Sequence, residues 1–185
     1  DVDVRKPIAG RAVTGLRGLL AIDPKMADLD AKANIDGVTL NLELIQPVDK
    51  TSDIPRRTIL SGTLDNRDRR KLLPGLEDVL EGEIDVRLEQ EGDGPRTVEA
   101  DVTGAAVSIP WIGWTKGAGI GGKVTLTAET GDGVTRISDF RFAGDGFSVS
   151  GDLAFRGAAL DSTNFSTVRL SANDRFRLKI APWRN

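Results

Sequence analysis

Apolar residues occupy every second position through Ala27, Leu29, Ala31, Ala33 and Ile35. They stop at Asp36-Gly37 and resume at Val38, Leu40, Leu42 and Leu44 with the parity reversed. Alternation at period two gives an extended chain one apolar face. A helix over 25–34 would need a period of 3.6, which these positions do not keep. Asp-Gly between two such runs predicts a two-residue hairpin loop, because a type I′ turn needs positive φ at both central residues. The parity switch follows from that loop length, and it sets Ile35 opposite Val38 on one side of the sheet. A chain patterned in this way has a sheet face to bury, and the rest of the sequence is read against that constraint.

The same grammar recurs. Residues 4–22 carry apolar patches around Ile8, Val13, Leu16, Leu19, Leu20 and Ile22, broken by Gly10, Gly15 and Gly18, which predicts broken or edge strands. Asp23-Pro24-Lys25 reads as a turn and Pro47 to Arg57 as a polar loop. Thr58 to Leu64 suits a short strand. Asp65 to Leu73 is the best helix candidate, with Asp65 as N-cap and Pro74-Gly75 as stop, and Leu76 to Leu80 suits a further turn. From Glu81 onward short alternating runs such as Ile84/Val86/Leu88, Val98/Ala100/Val102 and Val124/Leu126/Ala128 predict an antiparallel meander. Gly92-Asp93-Gly94, Gly131-Asp132-Gly133 and Gly144-Asp145-Gly146 punctuate it as turns. The expected architecture is mainly β: an antiparallel curved sheet, or a flattened sandwich or groove, with one short helix. One β-rich domain over 1–185 is expected, with a hairpin part at 1–57, the helix region at 58–80 and the meander at 81–185.

Composition removes several classes of chemistry. The chain has neither histidine nor cysteine, so Ser-His-Asp and Cys-His catalysis, disulfides and zinc-thiolate sites are excluded. Charged residues make up 29% with both signs interspersed and a net charge of −3, the opposite of a nucleic-acid binder's basic stripe. The basic cluster Arg67, Arg69, Arg70 and Lys71 is flanked by acids and reads as a solvated face. No stretch approaches the roughly 20 apolar residues of a spanning helix. Asp-Val-Asp-Val at the start does not read as a signal peptide.

Residues 98–128 depart furthest from average composition, with Trp111, Trp114, Lys116 and a glycine run. Gly117 to Gly122 matches the G-x-G-x-x-G pattern, and Gly117 to Lys123 has P-loop spacing. Both motifs must open a helix, and a P-loop also needs Ser or Thr after its lysine. Here Val124 follows Lys123, and Lys123 to Ala128 alternates as a strand, so nucleotide binding is not expected. The Gly-Asp-Gly turns lack the alternating oxygen ligands and distal glutamate of a calcium loop. No carboxylate pair stands out in an apolar surround, so neither catalytic residues nor metal ligands nor a cofactor are assigned. Trp111 and Trp114 suit packing onto the sheet, with contact to a ligand or partner as the alternative.

Several segments together resemble the AsmA-like proteins of Gram-negative envelopes, in particular the YhdP group. They are Leu80-Glu81-Gly82-Glu83-Ile84 after a short helix, Asp101-Val102-Thr103-Gly104-Ala105, Gly113-Trp114-Thr115-Lys116-Gly117-Ala118-Gly119, Asp139-Phe140-Arg141-Phe142 with Gly151, and Ser171-Ala172-Asn173-Asp174. The hairpin and Arg-rich helix of Ala27 to Leu73 fit the same layout. The resemblance implies a non-enzymatic, periplasmic segment of a longer protein tethered to the inner membrane, whose apolar groove guides phospholipid acyl chains. It offers no catalytic residues. Trp111, Trp114, Val38, Leu40, Leu42 and Leu44 are then the expected lipid or partner contacts, with phospholipid and other envelope proteins as partners. The alternatives are a structural or protein-binding β module with a closed core and, more distantly, a carbohydrate-active domain.

Overall fold

The computed structural model describes residues 4–8, 11–49, 51–109, 113–157, 159–171 and 176–180. Its main element is an antiparallel sheet of twelve strands that follows chain order and does not close into a barrel. The strands are β1 (Val4–Ile8), β2 (Arg11–Ile22), β3 (Met26–Ile35), β4 (Val38–Pro47), β5 (Arg57–Leu64), β7 (Ile84–Glu91), β8 (Arg96–Asp101), β11 (Gly122–Gly131), β12 (Val134–Gly144), β13 (Phe147–Arg156), β14 (Ala159–Arg169) and β15 (Phe176–Ile180). Three short strands, β6 (Leu80–Gly82), β9 (Ala105–Ile109) and β10 (Trp114–Lys116), form a second sheet in the order β10-β9-β6. One helix, α1 (Asn66–Leu72), lies between β5 and β6.

The hairpin expected at Asp36-Gly37 forms as the pattern requires. Both residues have positive φ, 51° and 80°. The Asn34 side chain accepts the Gly37 amide at 2.8 Å. Pairing runs unbroken from Ile35↔Val38 to Met26↔Pro47. The helix is also as expected. Asp65 accepts from the amides of Arg67 and Asp68 at 2.7 and 2.8 Å, satisfying two of the donors that a helix start leaves free. The broken strand expected over 4–22 is β1 at the sheet edge plus a long β2, whose register shifts between Thr14 and Arg17 around Gly15.

The meander expected from Glu81 onward is interrupted. β6, β9 and β10 leave the main sheet and pair with one another. Gly82, at φ 112°, makes the break between β6 and β7, and a Cβ there would meet the Gly104 carbonyl at 2.7 Å. The three Gly-Asp-Gly turns do join β7 to β8, β11 to β12 and β12 to β13.

Candidate functional site

Register sorts the side chains of the large sheet into cross-strand rows on one apolar face. Ala31, Leu42, Leu60, Leu88, Val98 and Leu126 form one row by direct pairing. Val86, Ala100, Val124, Phe142, Val149 and Val168 form the next row. The opposite face carries charge, including the ion pairs Arg57–Glu89 at 2.7 Å and Lys123–Glu99 at 2.9 Å. A sheet wet on one side is what the alternation predicts.

Among the described residues the apolar face is covered chiefly at one end of its strands. At that end Val13, Ile35, Val38, Leu64, Ile84 and Val102 are buried beneath α1 and the small sheet. α1 is tied down by polar bonds. Arg11 bonds Asp36 and donates to the Leu72 carbonyl at 2.8 Å, and Lys71 Nζ donates to the Gly37 carbonyl at 3.0 Å. Buried Arg69 bridges the helix to β6, donating to the carbonyls of Gly82 and Leu80 and to Asn66 Oδ1.

The second cover is the Gly-Trp-Thr-Lys-Gly segment. Trp114 packs edge-on against Phe142 and Phe147, with ring centroids 6.0 and 5.1 Å away. Its Nε1 donates to the Leu170 carbonyl at 3.0 Å. Lys116 is only 2% exposed. Its Nζ donates to the carbonyls of Ala105, Ile120 and Gly117 at 2.8, 2.8 and 3.1 Å, which uses all three ammonium donors. Burial pushes its pKa below the ordinary lysine value, and the Asp101 carboxylate pulls the other way. Gly122 explains part of the glycine run: a Cβ there would meet Lys116 Cε at 3.1 Å and Val102 Cγ2 at 3.0 Å. Gly117 accepts from the buried lysine and Gly122 leaves room for it.

Toward the other end the cover among the described residues thins: Thr58 and Thr163 stay buried, and the apolar side chains there are half-buried or exposed. Along β2 exposure rises from 1% at Val13 to 59% at Leu20 and 68% at Ile22. Along β4 Leu42 is 0% exposed and Leu44 is half-buried. Leu88, Val98, Leu126, Ile137 and Leu153 are half-buried on the same face. At the boundary an apolar cavity of about 160 Å³ lies between α1 and the sheet, lined by Leu72, Leu73, Leu60, Val86, Leu88 and Val98 among others.

The residues singled out from sequence distribute across this gradient. Val38 and Leu42 lie in the closed core, Leu40 lines the cavity, and Leu44 stands on the half-open part. Trp114 belongs to the cover, and Trp111 lies outside the described residues. Sequence reasoning passed over Leu88, Val98 and Leu126 as site residues, although their parity was visible. It also passed over Arg96, which shares the parity of Val98. Among the described residues no three acidic groups converge as metal ligands would. Comparisons of the chain with models of protein families, with curated proteins and with solved structures find no match.

Proposed function

We propose that the half-open part of the apolar face holds phospholipid acyl chains, and that the chain is a non-enzymatic segment guiding lipid in a bacterial envelope. The observation that carries this reading is the gradient of cover. One apolar row crosses from β3 to β11 with no charged member, and it passes from closed core at Ala31, Leu42 and Leu60 to a half-exposed face at Leu88, Val98 and Leu126. Apolar area of that extent is a binding surface more often than an idle one. Acyl chains need no directional polar partners, in keeping with the lack of converging acidic groups among the described residues. The AsmA-like resemblance supports the same reading and adds a periplasmic setting, with a tether to the inner membrane in a longer protein. The test is to purify the chain from Gram-negative cells, extract it with organic solvent and seek phospholipid by mass spectrometry. Near-stoichiometric phospholipid is expected. Lipid-free protein in repeated preparations contradicts the reading.

A second reading has its own observation. β1 pairs with β2 only over Arg11–Val13, so among the described residues the outer edge of β2 from Thr14 to Ile22 has no neighbour. Leu19, at 80% exposed, stands on that strand. Such an edge suits a protein partner that adds a strand.

A further inference from the structure

One row of the apolar face differs from the others. Leu20, Leu29, Leu44, Thr58, Gln90, Arg96, Ala128, Ile137, Leu153 and Thr163 are aligned by direct pairing. Of the strand positions that register assigns to this face from β3 to β13, Arg96 is the one that carries charge. Its Nε is buried and has no hydrogen-bond partner. Its guanidinium forms no ion pair among the described residues. Glu99 on its own strand pairs with Lys123, and Glu89 on β7 pairs with Arg57 and Arg87, all on the opposite face. Gln90 beside it spends its amide on the Gly94 carbonyl at 2.9 Å. A buried guanidinium donor without a partner is costly, and its planar fork suits an oxyanion.

Position adds to charge. The next residue of β8 on this face is Val98, which lines the apolar cavity under α1, and the one after it is buried Ala100. The cavity extends to Val86, the cross-strand partner of Ala100, and from Arg96 to that level the strand rises about 14 Å. One leaflet of a bilayer's hydrocarbon core is about 15 Å thick. An acyl chain lying along β8 with its end in the cavity therefore brings its polar head to Arg96.

We propose that Arg96 binds the phosphate of a glycerophospholipid whose acyl chain lies on the half-open face. The proposal rests on the acyl-chain reading above and adds to it a fixed head-group position. It makes this face a site with one polar anchor and a defined lipid orientation, where a plain apolar channel would be indifferent to the head group.

The test titrates the whole chain with two probes, a tail-labelled phosphatidylglycerol and the matching diacylglycerol, which has the same tails and no phosphate. The wild type is expected to bind the phospholipid at least tenfold more tightly, as about one charge-assisted contact provides. R96Q is expected to lose about that factor for the phospholipid and to bind the diacylglycerol unchanged, with thermal unfolding showing the fold intact. R96K is expected to restore part of the preference, and added salt to weaken phospholipid binding by the wild type and R96K but not by R96Q. Equal binding of the two probes by the wild type, or wild-type phospholipid affinity in R96Q, overturns the role of Arg96 and leaves the acyl-chain reading standing. Failure of the wild type to bind either probe overturns both.

Discussion

The two ends of the same strands behave differently although they share one sequence pattern. β4 alternates apolar and polar from Val38 to Leu44, yet Val38 sits in a closed core and Leu44 on a half-open face. β2 carries the contrast further, from Val13 at 1% exposed to Ile22 at 68%. The difference arises from what lies above the sheet. α1 and the small β10-β9-β6 sheet cover one end and bring polar ties with them, chiefly Arg11, Arg69 and Lys116. Among the described residues no helix or second sheet lies over the other end, where Thr58 and Thr163 are buried but the apolar side chains are half-exposed. Binary patterning builds the sheet, and the cover decides which part of its face is core and which part is left half-exposed.

The sharpest way to break this comparison is at the buried lysine. Lys116→Met keeps the aliphatic volume and leaves three carbonyls without their donor, at about 1–3 kcal/mol for each that stays unsatisfied. A loss of about 3 kcal/mol or more in urea unfolding is expected. A near-neutral result would show that water replaces the ammonium and that the segment is not a sealed cover. A paired truncation compares the closed and the half-open part of one cross-strand row. Leu42→Ala should cost about 2–5 kcal/mol, as for any leucine with no exposed surface. Leu126→Ala should cost about 1 kcal/mol or less, while lowering phospholipid retention. Equal costs would mean that the two parts of the row are packed alike. Trp114→Phe removes the bond to the Leu170 carbonyl and part of the contact with Phe142 and Phe147, and should cost about 1–2 kcal/mol in the same assay.

The smallest effect concerns acid. The amides of Asp68 and then Arg67 hold the Asp65 carboxyl below its ordinary value of 3.8. A depressed carboxylate contributes stability that is present above the unfolded value and lost as pH falls through the folded one. Asp65→Asn keeps a capping oxygen and removes the titration. Its thermal stability should track the wild type at neutral pH and fall less steeply below about pH 4. An unchanged acid limb would show that the cap at α1 does not couple to the fold of the covered end.

Much of the sheet was legible in the sequence because period-two alternation and Asp-Gly turn chemistry act locally. The hairpin at Asp36-Gly37 and the Asp65 cap appear where those rules place them. The departure of β6, β9 and β10 was not legible. Two of these strands have three residues each, too few to show a period, and their separation rests on close approaches such as that at Gly82. Lys116 was hidden for a different reason: a lysine reads as solvent-facing, and only three converging carbonyls make it a core residue. Arg96 was within reach. It has the parity of Val98 and Ala100, so alternation alone sets a charged residue on an apolar face. What local pattern does not carry is the extent of cover, which depends on contacts distant in sequence.

The central claim is that the face is open to acyl chains at one end. It is tested most directly by placing a photoreactive benzoylphenylalanine at single positions in cells and examining crosslinks by mass spectrometry. At Leu126 and Leu88, on the half-open face, phospholipid adducts are predicted. At Glu99, on the charged face of the neighbouring strand, none is predicted. Adducts at Glu99 as frequent as those at Leu126, or no lipid adduct at Leu126 and Leu88, would contradict the account.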